Sequence, residues 1–286
     1  MSDKEKINLG QERPKLIVMP FQPVSGQDMN GVGLGVHFLL GNLFCLHQGL
    51  LECWFGWRVK KIFPGSKDLT DYCHGNGPFK DIRELGKRQK VRFWMEGTYL
   101  CSKHTVFIEV RLHDTRDNIC LGSEFSLAFD DGFSEFRHAL FDWLDHCGVG
   151  FKGRRIALWP EHISVAGLDS LGSALNALYL NYVGDQDRPI DLTFFDKARA
   201  LCPESYLVQD LAGWGLYKNG CHDQAEEAFL NALALNPDGL GALSGMMWCA
   251  VEGKDRAKAL EFACKKGKCR GDDPEKAKQF VDKKFV

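Results

Sequence analysis

Two phenylalanines and two prolines stand 34 residues apart in the second half of this 286-residue sequence: Phe195 and Phe229, Pro203 and Pro237. Ala198 and Ala232 keep the same step, and so do Ala225 and Ala259. A fixed period of this length means that each unit is one supersecondary element. Alone it cannot bury its apolar face, so the fold is a stack of neighbouring units. In the third unit Ala263 stands at the phenylalanine position and Lys266 replaces Ala232. That degeneracy suits a terminal unit with a polar outer face. The pattern predicts helix pairs at roughly 170–203, 204–237 and 240–268. A last helix, opened by Asp273 and Pro274, runs through EKAKQFVDKKF, because proline is tolerated at a first helical position.

The segment around DLAGWGLYKNGCHDQAEEAFLNALALNPD spaces Gly213, Gly220, Ala225, Phe229, Ala232 and Pro237 as the tetratricopeptide repeat does, and resembles it. In that pattern small residues let two antiparallel helices approach, an aromatic fills the gap and a proline ends the second helix. The resemblance implies a protein-binding groove lined by the first helix of each pair. By helix position the candidate partner-binding residues are Asn176, Tyr179, Asn181 and Tyr182 in one unit, then Gln209, Trp214 and Lys218 in the next.

The first half reads as an α/β domain. KLIVMPF, residues 15–21, is a short apolar run that predicts a buried strand feeding a loop. Gly33 to about Gln48 predicts a half-buried helix. Residues 51–63 suit a second strand, and Phe79–Lys87 a short helix capped by Gly86. Three strands follow at Val91–Tyr99, Thr105–His113 and Ile119–Phe129. In the middle one Val106, Ile108, Val110 and Leu112 alternate with Phe107, Glu109 and Arg111, so one face meets solvent or another surface. Residues 133–147 put Phe136, Leu140, Trp143 and Leu144 on one helical stripe, with Asp130-Asp131 as its N-terminal cap. Arg155–Trp159 closes the domain as a last strand.

Met19-Pro20-Phe21, Leu85-Gly86, Met95-Glu96-Gly97, the Val106–Leu112 strand and Asp114 together resemble the N-terminal domain of TolB and its relatives. Those relatives stand beside tetratricopeptide repeats in bacterial adenylate-cyclase-like proteins. The likeness spans roughly residues 14–130, without propeller repeats or a cyclase domain. It implies a fold and a partner-binding or sensory neighbourhood, and brings no catalytic residues; Gly97 in it would permit a strand bend.

Composition narrows the function. The 36 basic and 38 acidic residues give a net charge of −2, against a nucleic-acid binder that relies on bulk positive charge. The polar N-terminus and the broken apolar run at 32–51 lack a secretory or membrane-spanning pattern, which predicts a cytoplasmic chain. Eleven scattered cysteines do not read as a disulfide framework and fit reduced thiols.

Candidate chemistry is sparse. Gly31, Gly33 and Gly35 follow a strand and open a helix, where a phosphate cradle would sit. Their spacing is neither the dinucleotide nor the P-loop pattern, and close packing is the simpler account. Of the local pairs, Cys101 and His104 come nearest to zinc spacing but lack a second half. Cys73-His74 is the pair placed for nucleophilic catalysis. Lys265, Lys266, Lys268 and Arg270 form a basic cluster: solvated surface, or a dock for an acidic partner.

The expected fold is a polar tail at 1–13, an α+β or α/β domain at 14–165 with a mixed sheet and flanking helices, and an all-α tetratricopeptide-like region at 166–286 with a capping helix. The expected function is a non-enzymatic adaptor or scaffold subunit that binds another protein or a multi-subunit complex. It needs no cofactor or metal, and binds neither nucleic acid nor membrane. The alternative is a small-molecule or nucleotide sensor that uses the Gly31–Gly35 loop and signals through the repeat.

Overall fold

The computed structural model describes residues 14–24, 30–45, 52–56, 69, 91–117, 119–129, 131–149, 160–184 and 189–285. The first part is a mixed sheet with flanking helices, and the second is all helical. Strands β1 (Lys15–Val18), β2 (Gln22–Pro23), β3 (Glu52–Trp54), β4 (Val91–Cys101), β5 (Thr105–Asp114) and β6 (Ile119–Ala128) form one sheet. Its order is β3-β1-β4-β5-β6, with β2 beside β4. β1 runs parallel to both neighbours, and β4, β5 and β6 form an antiparallel meander. A strand covered on both faces needs a continuous apolar run; accordingly Leu16, Ile17 and Val18 are fully buried. On β5, Val106, Ile108, Val110 and Leu112 point into the core, while Phe107 is 45% exposed on the solvated face.

Helix α1 (Asn30–Cys45) begins three residues before the expected start at Gly33. It is not half-buried: every residue from Gly31 to Cys45 is enclosed. One side meets β1, β2 and β3, and the other meets α3 (Val165–Val183), the first helix of the second part. Glycines make that second contact possible. A Cβ on Gly172 would lie 1.8 Å from the Gly31 carbonyl oxygen. One on Gly31 would lie 2.2 Å from that of Asp169, and one on Gly35 2.4 Å from that of Leu168. Gly97 answers to packing rather than to a strand bend, since its Cβ would fall 2.1 Å from the Glu109 carbonyl oxygen and 2.4 Å from the Phe21 ring.

Helix α2 (Ser134–His146) buries Phe136, Leu140 and Leu144 as expected, with Trp143 half-buried against Phe125. Its N-cap is Phe133, in the left-handed region at φ 64°, and not an aspartate. Asp131 still takes up one orphan donor, accepting the Glu135 N–H at 2.9 Å.

The second part continues through α4 (Thr193–Leu201), α5 (Tyr206–Lys218), α6 (His222–Leu235), α7 (Leu240–Glu252), α8 (Arg256–Arg270) and α9 (Pro274–Asp282). α5 and α7 start 34 residues apart, as do α6 and α8. The small residues and aromatics of the sequence period meet in the packing. The Phe229 ring lies where Cβ atoms on Gly213 of α5 and Gly245 of α7 would come within 2.5 and 2.2 Å; Phe195 faces Gly215 in the same way at 2.8 Å. In the third unit Phe262, next to Ala263, is the buried aromatic. α9 opens as expected, with the Asp273 carboxylate accepting the Glu275 N–H and Pro274 in the first turn.

A single core runs through both parts. A buried polar link reinforces it: Glu161 accepts from the Ser205 hydroxyl and, at 3.4 Å, from the Leu207 N–H, so it caps the positive end of α5. The Arg137 guanidinium of α2 couples electrostatically to the same carboxylate. The remainder of the 51–63 strand beyond residue 56, the Phe79–Lys87 helix with Gly86, the Arg155–Trp159 strand, Cys73-His74 and Asp130 lie outside the described residues.

Candidate functional site: an aromatic cavity on the inner face of the helical region

The first helices of the three pairs, α3, α5 and α7, stand side by side. The C-terminal half of α1 and the turn after β3 close over them and leave a cavity of about 340 Å³. Positions one period apart line it together: Trp214 with Trp248, and Asp210 with Ser244. Phe38, Phe55 and Leu178 complete the apolar walls. The turn is fixed by His37, whose Nε2 accepts the Gly56 N–H at 2.8 Å. Burial lowers the His37 pKa to about 4, so the ring is neutral and able to accept.

The tryptophans are held from behind. Trp214 packs edge-on against Phe229 and Tyr217, at 5.4 and 5.8 Å between ring centroids, and Trp248 against Phe280 at 5.9 Å. The outer part of the cavity is basic. Lys218 is exposed, and Lys266 and Arg270, one helical turn apart on α8, are half-buried. Lys266 donates to the Ser244 hydroxyl at 3.0 Å, and Arg270 pairs with Asp272 at 3.0 Å. The predicted basic cluster therefore divides: Lys265 and Lys268 line a different surface depression, with Lys265 paired to Glu261 at 2.6 Å.

Among the described residues Asp210 is the one carboxylate in the lining, and only 2% of its surface is exposed. Among the described residues no hydrogen-bond donor meets its Oδ1. Burial raises its pKa from 3.8 to about 8 against the opposing hydrogen bond from the Trp214 side chain, with a smaller push from Cys45. At neutral pH the group is mostly a carboxylic acid, which both donates and accepts.

Of the residues expected to bind a partner, Tyr182, Trp214 and Lys218 come together at this cavity. Of the other four, Asn181 is half-buried and outside the cavity lining, and three make contacts within the fold. Tyr179 is fully buried, Gln209 donates to the Pro203 carbonyl at 2.8 Å, and the Asn176 amide oxygen accepts the Leu69 N–H at 3.2 Å. Sequence reasoning did not reach Asp210, Ser244, Trp248, Phe38 or Phe55 as cavity residues. The step of 34 from Trp214 to Trp248 was the available signal; Phe38 and Phe55 arrive from a distant segment and carry none.

Gly31, Gly33 and Gly35 lie inside α1, and the space a phosphate would need is filled by the Asp169, Phe21 and Leu168 backbone. Cys101 stays a thiol, its pKa raised to about 11 by burial and then by Asp169. Among the described residues no group of three or more His, Cys, Asp or Glu side chains could hold a metal ion, and none of the ten described cysteines is in a disulfide. On the solvated sheet face, His113 Nε2 meets Glu96 at 3.1 Å and Cys120 Sγ at 3.9 Å. One nitrogen facing both groups cannot pass a proton between them as a catalytic triad does. Among the described residues no helix is long and apolar enough to cross a membrane.

No protein-family model matches the chain, and no curated protein matches it. Among solved structures, the lipoprotein GNA1162 from Neisseria meningitidis aligns with 48% of this chain and 98% of its own. The identity is 18% and the TM-score 0.32, too low to argue from.

Proposed function

We propose that this chain is a non-enzymatic, cytoplasmic adaptor of tetratricopeptide type, carried on a TolB-like α/β domain, that binds a partner protein at the inner face of its helical region. The observation that carries the reading is the meeting of Trp214 and Trp248, one period apart, in the wall of a single cavity. A repeat that faces equivalent tryptophans inward has a surface suited to a ligand, since tryptophans anchored in desolvated pockets dominate binding energy. Ten described cysteines outside any disulfide suit a reducing compartment.

The test is affinity capture of the tagged full-length protein from its native host beside Lys218→Glu, an exposed substitution that leaves the core intact. The reading expects a stoichiometric partner that the variant loses. Equal recovery with both proteins, or no partner with either, overturns it.

A small-molecule sensor is the second reading. The Gly31–Gly35 site it began from has no room, but a cavity of about 340 Å³ falls within the usual range for small ligands, ~300–1,000 Å³. A thermal-shift response to a small-molecule panel, abolished by filling the cavity with Ser244→Trp, would favour it.

A further inference from the structure

The geometry points to a specific occupant for the cavity, resting on the adaptor reading: a tyrosine of the partner chain, flanked by acidic residues, with its ring between Trp214 and Trp248 and its hydroxyl at Asp210. Three independent features converge on that chemistry. The walls are aromatic and apolar, with Phe38, Phe55, Trp214 and Trp248 arranged for a flat ring, which gains from edge and face contacts beyond its buried area. Of the polar side chains in the lining, Asn42 and Ser244 are hydrogen-bonded, whereas the Asp210 carboxyl is more than nine-tenths buried and its Oδ1 meets no donor among the described residues. A buried polar atom without a partner is costly, so the site gains by receiving a group that completes it. The outer end carries Lys218, Lys266 and Arg270, in a chain whose net charge is negative.

Each feature rejects other occupants. A leucine or phenylalanine fills the walls and leaves the Asp210 Oδ1 unmet. A lysine or arginine tip would meet Asp210 but must pass three cations. A phenol both donates and accepts, which matches a carboxyl held in its neutral form. Carboxylates on either side of the tyrosine then face the lysines and Arg270 where water still reaches, supplying encounter rate more than depth of affinity.

The experiment uses the full-length protein and three acetylated pentapeptides: tyrosine between glutamate pairs, phenylalanine between glutamate pairs, and tyrosine between lysine pairs. Affinities are read by calorimetry, with N-acetyltyrosine as a fourth probe. The tyrosine–glutamate peptide should bind about tenfold more tightly than the phenylalanine one, the fold-change that about 1.4 kcal/mol produces. It should also exceed the lysine-flanked peptide by a similar factor, and Lys218→Glu should erase that second difference. Asp210→Ala should erase the tyrosine preference, and Asp210→Asn, which keeps an acceptor, should restore part of it. Circular dichroism on each variant confirms the fold. Equal binding of tyrosine and phenylalanine peptides overturns the assignment, as does binding by none. N-acetyltyrosine binding as tightly as the pentapeptide overturns it in favour of a free small molecule. A partner captured from the host with peptides that fail to discriminate leaves the adaptor reading standing and removes the tyrosine anchor alone.

Discussion

Replacing Asp210 by asparagine should make the protein more stable at neutral pH, and by an amount that falls as the pH is lowered. The carboxyl titrates near 3.8 when exposed and at about 8 in its buried place. Its folded value is raised, so between these limits the native chain keeps a proton that the unfolded chain has released. The contribution of this group to stability is therefore greatest below pH 4 and falls as pH rises toward 8. One pKa unit corresponds to 1.36 kcal/mol, so roughly three units at pH 7 cost ~4 kcal/mol. Asparagine has no such cost; its amide N–H groups, lacking an acceptor, return ~1–2 kcal/mol of it. The net gain at pH 7 is about 2–3 kcal/mol, or a Tm rise on the order of 5–10 °C at roughly 2–4 °C per kcal/mol. At pH 4 only the amide cost remains, so the variant should there be ~1–2 kcal/mol less stable than the parent. Thermal and urea melts of both proteins from pH 4 to 8.5 supply the assay, and the difference between the two curves isolates this residue from Cys45, Tyr206 and every other titrating group. A variant destabilised equally at both ends of the range would refute the reasoning, because Asp210 would then be an ordinary paired carboxylate.

Three further substitutions test the packing. Gly172→Ala should cost about 3 kcal/mol or more in urea unfolding, because its Cβ would meet the Gly31 carbonyl oxygen at 1.8 Å and push α1 from α3. Phe229→Ala should cost ~3–5 kcal/mol by the same measurement, whereas Leu230→Ala, at a side chain 48% exposed, should stay within about 0.5 kcal/mol. Glu161→Gln should cost ~3 kcal/mol at neutral pH, since it removes the larger of the two carboxylate charges, Glu161 and Asp131, that act on the buried Arg137 guanidinium.

What could be read from the chain follows the range of the forces involved. The 34-residue step, the Asp273-Pro274 start of α9 and the alternation on β5 are local statements about period and capping, and helices and strands answer to them. Long-range partners were not legible. The glycines at 31, 33 and 35 look alike in sequence to a phosphate loop and to a close helix contact; Gly172 and its neighbours Leu168 and Asp169, more than a hundred residues away, decide it for Gly31 and Gly35, and Phe21 decides it for Gly33. The same limit governs the site. Trp214 and Lys218 follow from helix position, whereas Phe38 and Phe55 enter the cavity from the α/β part through the packing of α1 on α3. Tyr179 and Gln209 were misjudged by position because the inner face of the first helices is itself partly covered. A half-turn decides whether a side chain meets the cavity or the core.

The measurement that bears most directly on this account is site-specific photo-crosslinking in the native host, with a photoreactive phenylalanine analogue at Tyr182 on the cavity rim and, as control, at Leu230 on the outer face. The account predicts one stoichiometric cross-linked partner at position 182 and none at 230. Equal labelling at both positions, or labelling at 230 alone, would contradict a partner held at the inner face.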